Sequence, residues 1–337
     1  MTSRPLLFSL ASVASLALLA GCSTAPEVDT SVLRLPVGGS IVHADPVTPS
    51  VPVEPSLSIV DPTGVEISLD TIPERIVCVT GICDDILISL GITPVGTTTP
   101  ALIALPQYLG DAAADVPVIP GGWGNEDVEV IASLEPDLVI GLANAQEGLA
   151  ESIEQFAPYW LASVETVEDS IGYLRALAAL TGKVDEGAKV ETALRQAMAD
   201  AEATSAEYGL KDIPILSMYA SSVGSGVNTR ETIVGDLLGE YFAYPWETKN
   251  GDPATAYTFS NEEILSVDPA AIFITSFVFG ADDKTWTEEV SSDPIWSRID
   301  AVSNGKSFEV ETALWASGRG PHSLTLVLTE ALTKAVG

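Results

Sequence analysis

The sequence predicts an α/β protein of two lobes, each a mostly parallel sheet covered by helices, with one long helix joining them and a ligand cleft between. Three observations predict this. First, the stretch Glu129-Val130-Ile131-Ala132-Ser133-Leu134-Glu135-Pro136-Asp137-Leu138-Val139-Ile140 returns as Glu262-Glu263-Ile264-Leu265-Ser266-Val267-Asp268-Pro269-Ala270-Ala271-Ile272-Phe273. In each copy a glutamate opens a short helix, apolar residues follow at helical spacing, and an acidic-Pro pair stops it. A short apolar run then reads as a buried strand. One copy lies in each half of the chain, and ligand sites favour the interface between such lobes. Second, strands alternate with helices elsewhere in the chain, which favours a parallel sheet covered on both faces. Third, the Ala- and Glu-rich segment Asp185–Tyr208 favours one uninterrupted helix. At roughly 1.5 Å per residue it spans about 35 Å, a length that suits a crossing between lobes.

The remaining elements follow in chain order. Residues 1–21 read as an export signal, with Arg4 as the only n-region charge and an apolar stretch from Leu6 to Leu19, too short to span a bilayer comfortably. Leu19-Ala20-Gly21-Cys22 resembles the bacterial lipoprotein cleavage box, which implies a lipidated Cys22 and an extracytoplasmic protein anchored to the cell membrane; several acyl chains make such an anchor stable. Residues 22–56 are Pro-, Ser-, Thr- and Val-rich, with Pro46, Pro49, Pro52 and Pro55 every third residue. They read as a semi-extended, disordered tether. An N-terminal lobe spans 57–165. It opens with a hairpin whose turn is Asp61-Pro62-Thr63-Gly64. Strands follow at Ile76–Val79, Pro94–Gly96 and Val116–Ile119, with a helix from Cys83 to Leu90. Linking helices occupy 166–210. A C-terminal lobe spans 211–337, with strands at Ile213–Tyr219, Ile272–Ile274 and Ser307–Val310, a small helix at Pro294–Trp296 and a final helix from Pro321.

The net charge is −32, from 47 acidic and 15 basic residues. Nothing in that balance would neutralise phosphates, so nucleic acid is not an expected partner. The acidic surface reads as a solubilising one. Cys78 and Cys83 remain once Cys22 is set aside. Outside the cytoplasm a nearby pair forms a disulfide, with two free buried thiols as the alternative. The spacing is not that of a metal site. The chain has no GxSxG, HExxH or P-loop, so a catalytic role would need a dispersed site. An exported enzyme or an adhesive lipoprotein is the alternative of another class.

Several phrases carry a resemblance. Ser58-Ile59-Val60-Asp61-Pro62-Thr63-Gly64, Ile72-Pro73-Glu74-Arg75-Ile76-Val77, Leu134–Ile140, Pro294-Ile295-Trp296 through Asn304-Gly305-Lys306, and Trp315-Ala316-Ser317-Gly318-Arg319-Gly320 together resemble the helical-backbone solute-binding proteins of ABC importers. The last phrase looks most like the iron-siderophore branch. The resemblance implies two α/β lobes, a rigid linking helix and small lobe movement. It implies a ferric siderophore that brings its own iron, with no cofactor or metal held by the protein. Haem and cobalamin are the alternatives within the family; His322 or a tyrosine could then serve haem. The implied partners are permease and ATPase subunits, and the chain is expected to be a monomer.

In parallel α/β sheets ligands meet the loops after strand carboxyl ends. Those loops carry Thr80, Gly81, Thr97, Gly122, Trp123 and Asn144 in the first lobe, and Tyr219, Arg230, Trp246, Tyr257, Phe277 and Trp315 in the second. Trp123 projects from a glycine-rich loop, although tryptophan is also a common core residue. Arg230, in Gly224-Ser225-Gly226-Val227-Asn228-Thr229-Arg230, and Arg319, in Gly318-Arg319-Gly320-Pro321, suit an anionic, oxygen-rich ligand. Either could instead pair with a surface carboxylate. Thr80, Trp123, Asn144, Tyr219, Arg230, Trp246, Trp315 and Arg319 are therefore the ligand candidates. Glu129 and Glu262 occupy matching places in the repeat, where the resemblance implies contact with permease arginines. Ser260 with Glu263 reads as a capping box, which leaves Glu262 without that task.

Overall fold

The computed structural model describes residues 34–221, 224–250, 256–278 and 283–337. The expected signal peptide and Cys22 lie outside the described residues. A hairpin, β1 (Ser58–Val60) and β2 (Glu66–Ser68), opens the folded body. Buried Asp61 builds its turn: Oδ1 accepts the amides of Thr63 and Val65, and Oδ2 accepts Trp160 Nε1 at 2.9 Å.

The first lobe runs β3 (Ile76–Cys78), α1 (Gly81–Ser89), β4 (Gly96–Thr97), α2 (Pro100–Ile103), α3 (Val128–Ser133), β5 (Leu138–Leu142), α4 (Ala150–Ile153) and β6 (Tyr159–Ala162). Its sheet has the order β4-β3-β5-β6, all parallel. Every residue of β3 is buried, as expected of a strand covered on both faces. Two helices follow, α5 (Val167–Thr181) and α6 (Val184–Tyr208). Thr166 and Asp169 form a capping box at the start of α5, and Gly182, in the left-handed region, ends it.

The second lobe runs β7 (Ile215–Ser221), β8 (Gly224–Val227), α7 (Ile233–Gly239), α8 (Asn261–Val267), β9 (Ala271–Phe277), α9 (Trp286–Val290), α10 (Asp300–Ser303), β10 (Ser307–Glu309) and α11 (Pro321–Val336). The sheet order is β10-β9-β7-β8, with β8 antiparallel on the edge. The repeat is therefore structural: α3–β5 and α8–β9 each end in a central strand. It extends to the backbone, since Glu135 (φ 48°) and Asp268 (φ 54°), each directly before proline, adopt the left-handed conformation that stops the helix. One apolar core runs through both lobes, filled between them by α5, α6 and α11.

Three local expectations differ from the structure. Gly224–Val227 is an edge strand paired with β7 rather than a loop. Val116–Ile119 contributes only a single bridge, Val118 to Thr97. Residues 34–56 are extended but not free. Their amides dock on α6: Ser40 to Tyr208 Oη, Val42 to Thr204, Ala44 to Asp200, Val47 to Gln196 and Ser50 to Thr192, the last four at 2.9 Å. Those acceptors stand four residues apart along one helix face. Proline at every third position keeps the strap in a conformation that makes no internal hydrogen bonds, so its amides are available to the helix.

Candidate ligand-binding cleft

A cleft of about 580 Å³ opens between the lobes, within the size range of small-molecule sites. Its walls are strand-end loops. The first lobe contributes Thr80 and Gly81 after β3, Thr98 and Thr99 after β4, Trp123, and Gln146 after β5. The second contributes Ser276 and Phe277 at the end of β9, and Thr312, Ser317 and Arg319 beyond β10.

The loop after β3 is stapled. Cys78 ends the strand, Cys83 lies in α1, and a disulfide joins them with Cα atoms 5.4 Å apart. The four residues between include the cleft residues Thr80 and Gly81. The loop Gly121-Gly122-Trp123-Gly124 has φ values of 97°, 149°, 53° and 86°, a run that only glycine adopts readily. A Cβ on Gly121 would also lie 2.1 Å from Asn125 O. The loop thereby holds Trp123 out into the cleft with 76% of its surface exposed. Glu126 lies beneath it, buried, with one carboxylate oxygen accepting Gln146 Nε2. The same Gln146 nitrogen donates to Val79 O, and its Oε1 accepts the Leu142 amide, which fixes the loop after β5.

Arg319 supplies the positive charge. It sits at φ 60° between Gly318 and Gly320, and its Nε donates to Ala316 O at 3.3 Å. Burial alone lowers its pKa; among the described residues no carboxylate pairs with it. In a chain of net charge −32, a guanidinium without a carboxylate stands ready for an external anion.

The structure thus brings Thr80, Trp123 and Arg319 together, along with Gly81, Gly122 and Phe277. The other candidates lie outside the cleft lining. Trp246 is core, 1% exposed, its Nε1 bonded to Ile215 O and its ring edge-on to Phe259. Trp315 is core too, 3% exposed, stacked on Phe273 with Nε1 donating to Glu330. Arg230 turns back to Gly239 O at 3.1 Å and Glu240 at 3.6 Å. Tyr219 lies across Gly226 of the edge strand. Asn144 donates its amide to Glu147 one residue short of the lining. Thr97 is buried and donates to Asp84. His322 packs on Tyr108 and contacts Gln107 O, away from the cleft lining.

Sequence reasoning missed Thr98, Thr99, Gln146, Ser276 and Thr312, uncharged polar residues whose signal is position at or just after a strand end. It also missed Asp84 and Asp85, both with no exposed surface. Two adjacent aspartates inside the apolar run Ile82-Cys83-Asp84-Asp85-Ile86-Leu87 were the available signal. Burial raises the Asp84 pKa to about 8 against the hydroxyls of Thr99 and Thr97. Burial likewise raises that of Asp85.

Glu129 and Glu262 are both exposed in the first turns of α3 and α8. Neither caps its helix. Asp127 caps α3, and Ser260 with Glu263 forms the expected box on α8.

The chain is similar in sequence to the Fe(3+)-citrate-binding protein YfmC of Bacillus subtilis (strain 168), 25% identical over 265 residues that cover 78% of this chain and 81% of the relative. It is 26% identical over 273 residues to the probable siderophore-binding lipoprotein YfiY of the same organism, covering 77% of this chain and 82% of the relative. The solved petrobactin-binding protein YclQ of Bacillus subtilis superposes with a TM-score of 0.66 at 21% identity, over 86% of this chain and 100% of the other. Staphylococcus aureus SirA, solved with staphyloferrin B, superposes with a TM-score of 0.64 at 20% identity, over 83% and 98%. The periplasmic binding protein family matches residues 76–313. With that match, two lobes bridged by a single long helix and a cleft built for binding, the chain belongs to the periplasmic binding protein family, in its helical-backbone class, and is a binding protein rather than an enzyme.

Proposed function

We propose that this chain is the lipid-anchored, extracytoplasmic binding subunit of an ABC importer and captures a ferric siderophore in the cleft between its lobes. Arg319 carries the reading: an arginine with no carboxylate partner among the described residues, in a strongly acidic protein, lining an inter-lobe cleft with Trp123. A ferric siderophore presents anionic oxygens and apolar or aromatic faces. Arginine binds the first with its planar fork, and tryptophan packs against the second. The hydroxyls of Thr80, Thr98, Thr99, Ser276 and Thr312 suit the remaining oxygens. The iron is cargo and keeps the ligand shell that the siderophore supplies. The relatives named for ferric citrate and siderophore binding support this class of ligand.

Delivery requires contact with permease and ATPase subunits. Glu129 and Glu262, exposed on the repeated helices and free of capping, are the docking charges in this reading. Cys22 is the lipidation site. Reversing Glu129 and Glu262 to lysine is expected to leave ligand affinity intact and stop uptake, since rim charges steer and register a complex.

The direct test is a thermal-shift screen of ferric citrate, ferric hydroxamates, ferric catecholates, haem and cobalamin. A ferric siderophore should raise the melting temperature in proportion to ln(1 + [L]/Kd). A shift produced by haem or cobalamin alone, or by none of the panel, overturns the siderophore reading.

A further inference from the structure

The two buried aspartates of α1 divide their hydrogen bonds between the lobes. Asp84 stays within its own lobe, where Oδ2 accepts Thr97 and Thr99 hydroxyls at 2.7 and 2.5 Å. Asp85 reaches the other. Its Oδ2 accepts the Tyr108 hydroxyl at 2.6 Å and the Ser323 amide at 2.8 Å, and its Oδ1 accepts the His322 amide at 3.3 Å. His322 and Ser323 are the second and third residues of α11, the two amides that an N-cap side chain serves. Gly320, at the N-cap itself, brings no side chain, and Pro321 has no N–H. The cap of the last helix is therefore supplied from the opposite lobe.

Gly320 is itself buried and leaves no room for a carboxylate of its own. Putting the carboxylate at Asp85, fully buried, takes on the desolvation of a charge and yields a bond between lobes. The chain is shaped around that bond. A Cβ on Gly320 would lie 2.0 Å from Asp85 Oδ1, and one on Gly81 would lie 2.2 Å from Ser317 O. Arg319 is the residue immediately before this contact. From another side, Ser170 Oγ of α5 holds its carbonyl at 2.8 Å. Its own Nε holds Ala316 in the wide helical turn Ala313–Gly318.

We propose that Asp85 is a positioning residue of the binding site: an inter-lobe latch, tightened by Tyr108, that fixes where Arg319 meets an anionic ligand. The proposal rests on the siderophore reading for its ligand and on Asp85 geometry for its mechanism. Asp85 itself touches no ligand. It acts through residues 320–323.

The experiment compares full-length wild type with Asp85→Asn and Tyr108→Phe by two readouts. The first needs no ligand: the guanidinium ¹⁵Nε resonance of Arg319, identified as the signal lost in Arg319→Lys. It should be distinct and slowly exchanging in wild type, and should collapse toward solvent-exposed arginines in Asp85→Asn. The second is the ratio of affinities for ferric dicitrate, which is anionic, and for a neutral ferric trihydroxamate. Loss of a charge-assisted hydrogen bond should weaken the anionic ligand by about 10-fold or more and the neutral one by under about 3-fold. Tyr108→Phe should move both readouts the same way by less. If Asp85→Asn frees the His322 and Ser323 amides to exchange while the Arg319 signal and the affinity ratio stay at wild-type values, Asp85 is only a helix cap and the proposal fails. If Asp85→Asn does not fold, Tyr108→Phe decides by the same readouts. If wild type binds neither ferric compound, the siderophore reading is in trouble, and the Arg319 resonance alone still decides the latch.

Discussion

Arg230 and Arg319 look alike as sequence: each has glycines close by and stands just before a helix. The structure separates them. The glycines before Arg230 pair as edge strand β8, and its guanidinium turns onto the end of α7, where Gly239 O and Glu240 receive it. The glycines around Arg319 instead permit a close crossing of the two lobes, and among the described residues no carboxylate pairs with its guanidinium. The tryptophans divide in the same way. Trp123 stands on a loop that glycine dihedrals hold away from the core, while Trp246 and Trp315 are pulled beneath their sheet. A binding residue is therefore distinguished by what its neighbours leave unsatisfied, and residue type alone does not show that.

The largest test of this contrast is in stability. Trp315→Ala should cost about 3–5 kcal/mol in denaturant unfolding, as for other large core truncations. Trp123→Ala should stay within about 0.5 kcal/mol, as for an exposed side chain, while abolishing most ligand-induced fluorescence quenching. Equal losses from the two would break the division between core and cleft tryptophans. Next comes affinity for an anionic ferric siderophore. Arg319→Ala should lose about 1.5–3 kcal/mol, as for a charge-assisted hydrogen bond. Arg230→Ala, part-exposed and already paired, should lose less than about 1 kcal/mol. Titration of both variants in parallel checks the order.

A pH test separates the two kinds of buried carboxylate. At Glu191 burial pushes the pKa up, but Arg175 and Arg195 donate to it and the net shift is downward. Its contribution is present above the ordinary glutamate range and is lost as pH falls below it. Asp84 is the opposite case, raised to about 8 from 3.8 by burial. Between those values the folded state keeps a proton that the unfolded state releases, so stability falls as pH rises. Chemical denaturation at pH 5 and pH 8 should show wild type less stable at pH 8, and Asp84→Asn should flatten that difference while still accepting from Thr97 and Thr99. A local effect belongs to single rungs of the strap. Thr192→Val should cost about 0.5–1.5 kcal/mol, read as faster amide exchange at Ser50.

Much of the fold was legible because it is written in local periodicity. The repeat, the hairpin turn and the long α6 each need only neighbouring residues. The strap was not legible as a docked segment. Its prolines read as a free tether, and its acceptors, Thr192, Gln196, Asp200 and Thr204, lie far along the chain. Strand β8 was misread because Gly-Ser-Gly has little β propensity of its own and is held by pairing with β7. In the site, strand-end loops pointed to Thr80 and Trp123, and the glycine-flanked arginine before a helix to Arg319, all of which line the cleft. Those signals could not tell that Trp246 and Trp315 turn inward, since burial is decided by elements distant in sequence.

In the proposed function the cleft holds a ferric siderophore whose iron the protein never ligates. Iron anomalous diffraction from crystals grown with the ferric siderophore that gives the largest thermal shift tests it most directly. One iron peak is expected in the cleft, with the siderophore between Trp123 and Arg319 and only siderophore atoms in the metal's coordination shell. An iron peak outside the cleft, or one bonded to a protein side chain such as His322, would contradict it.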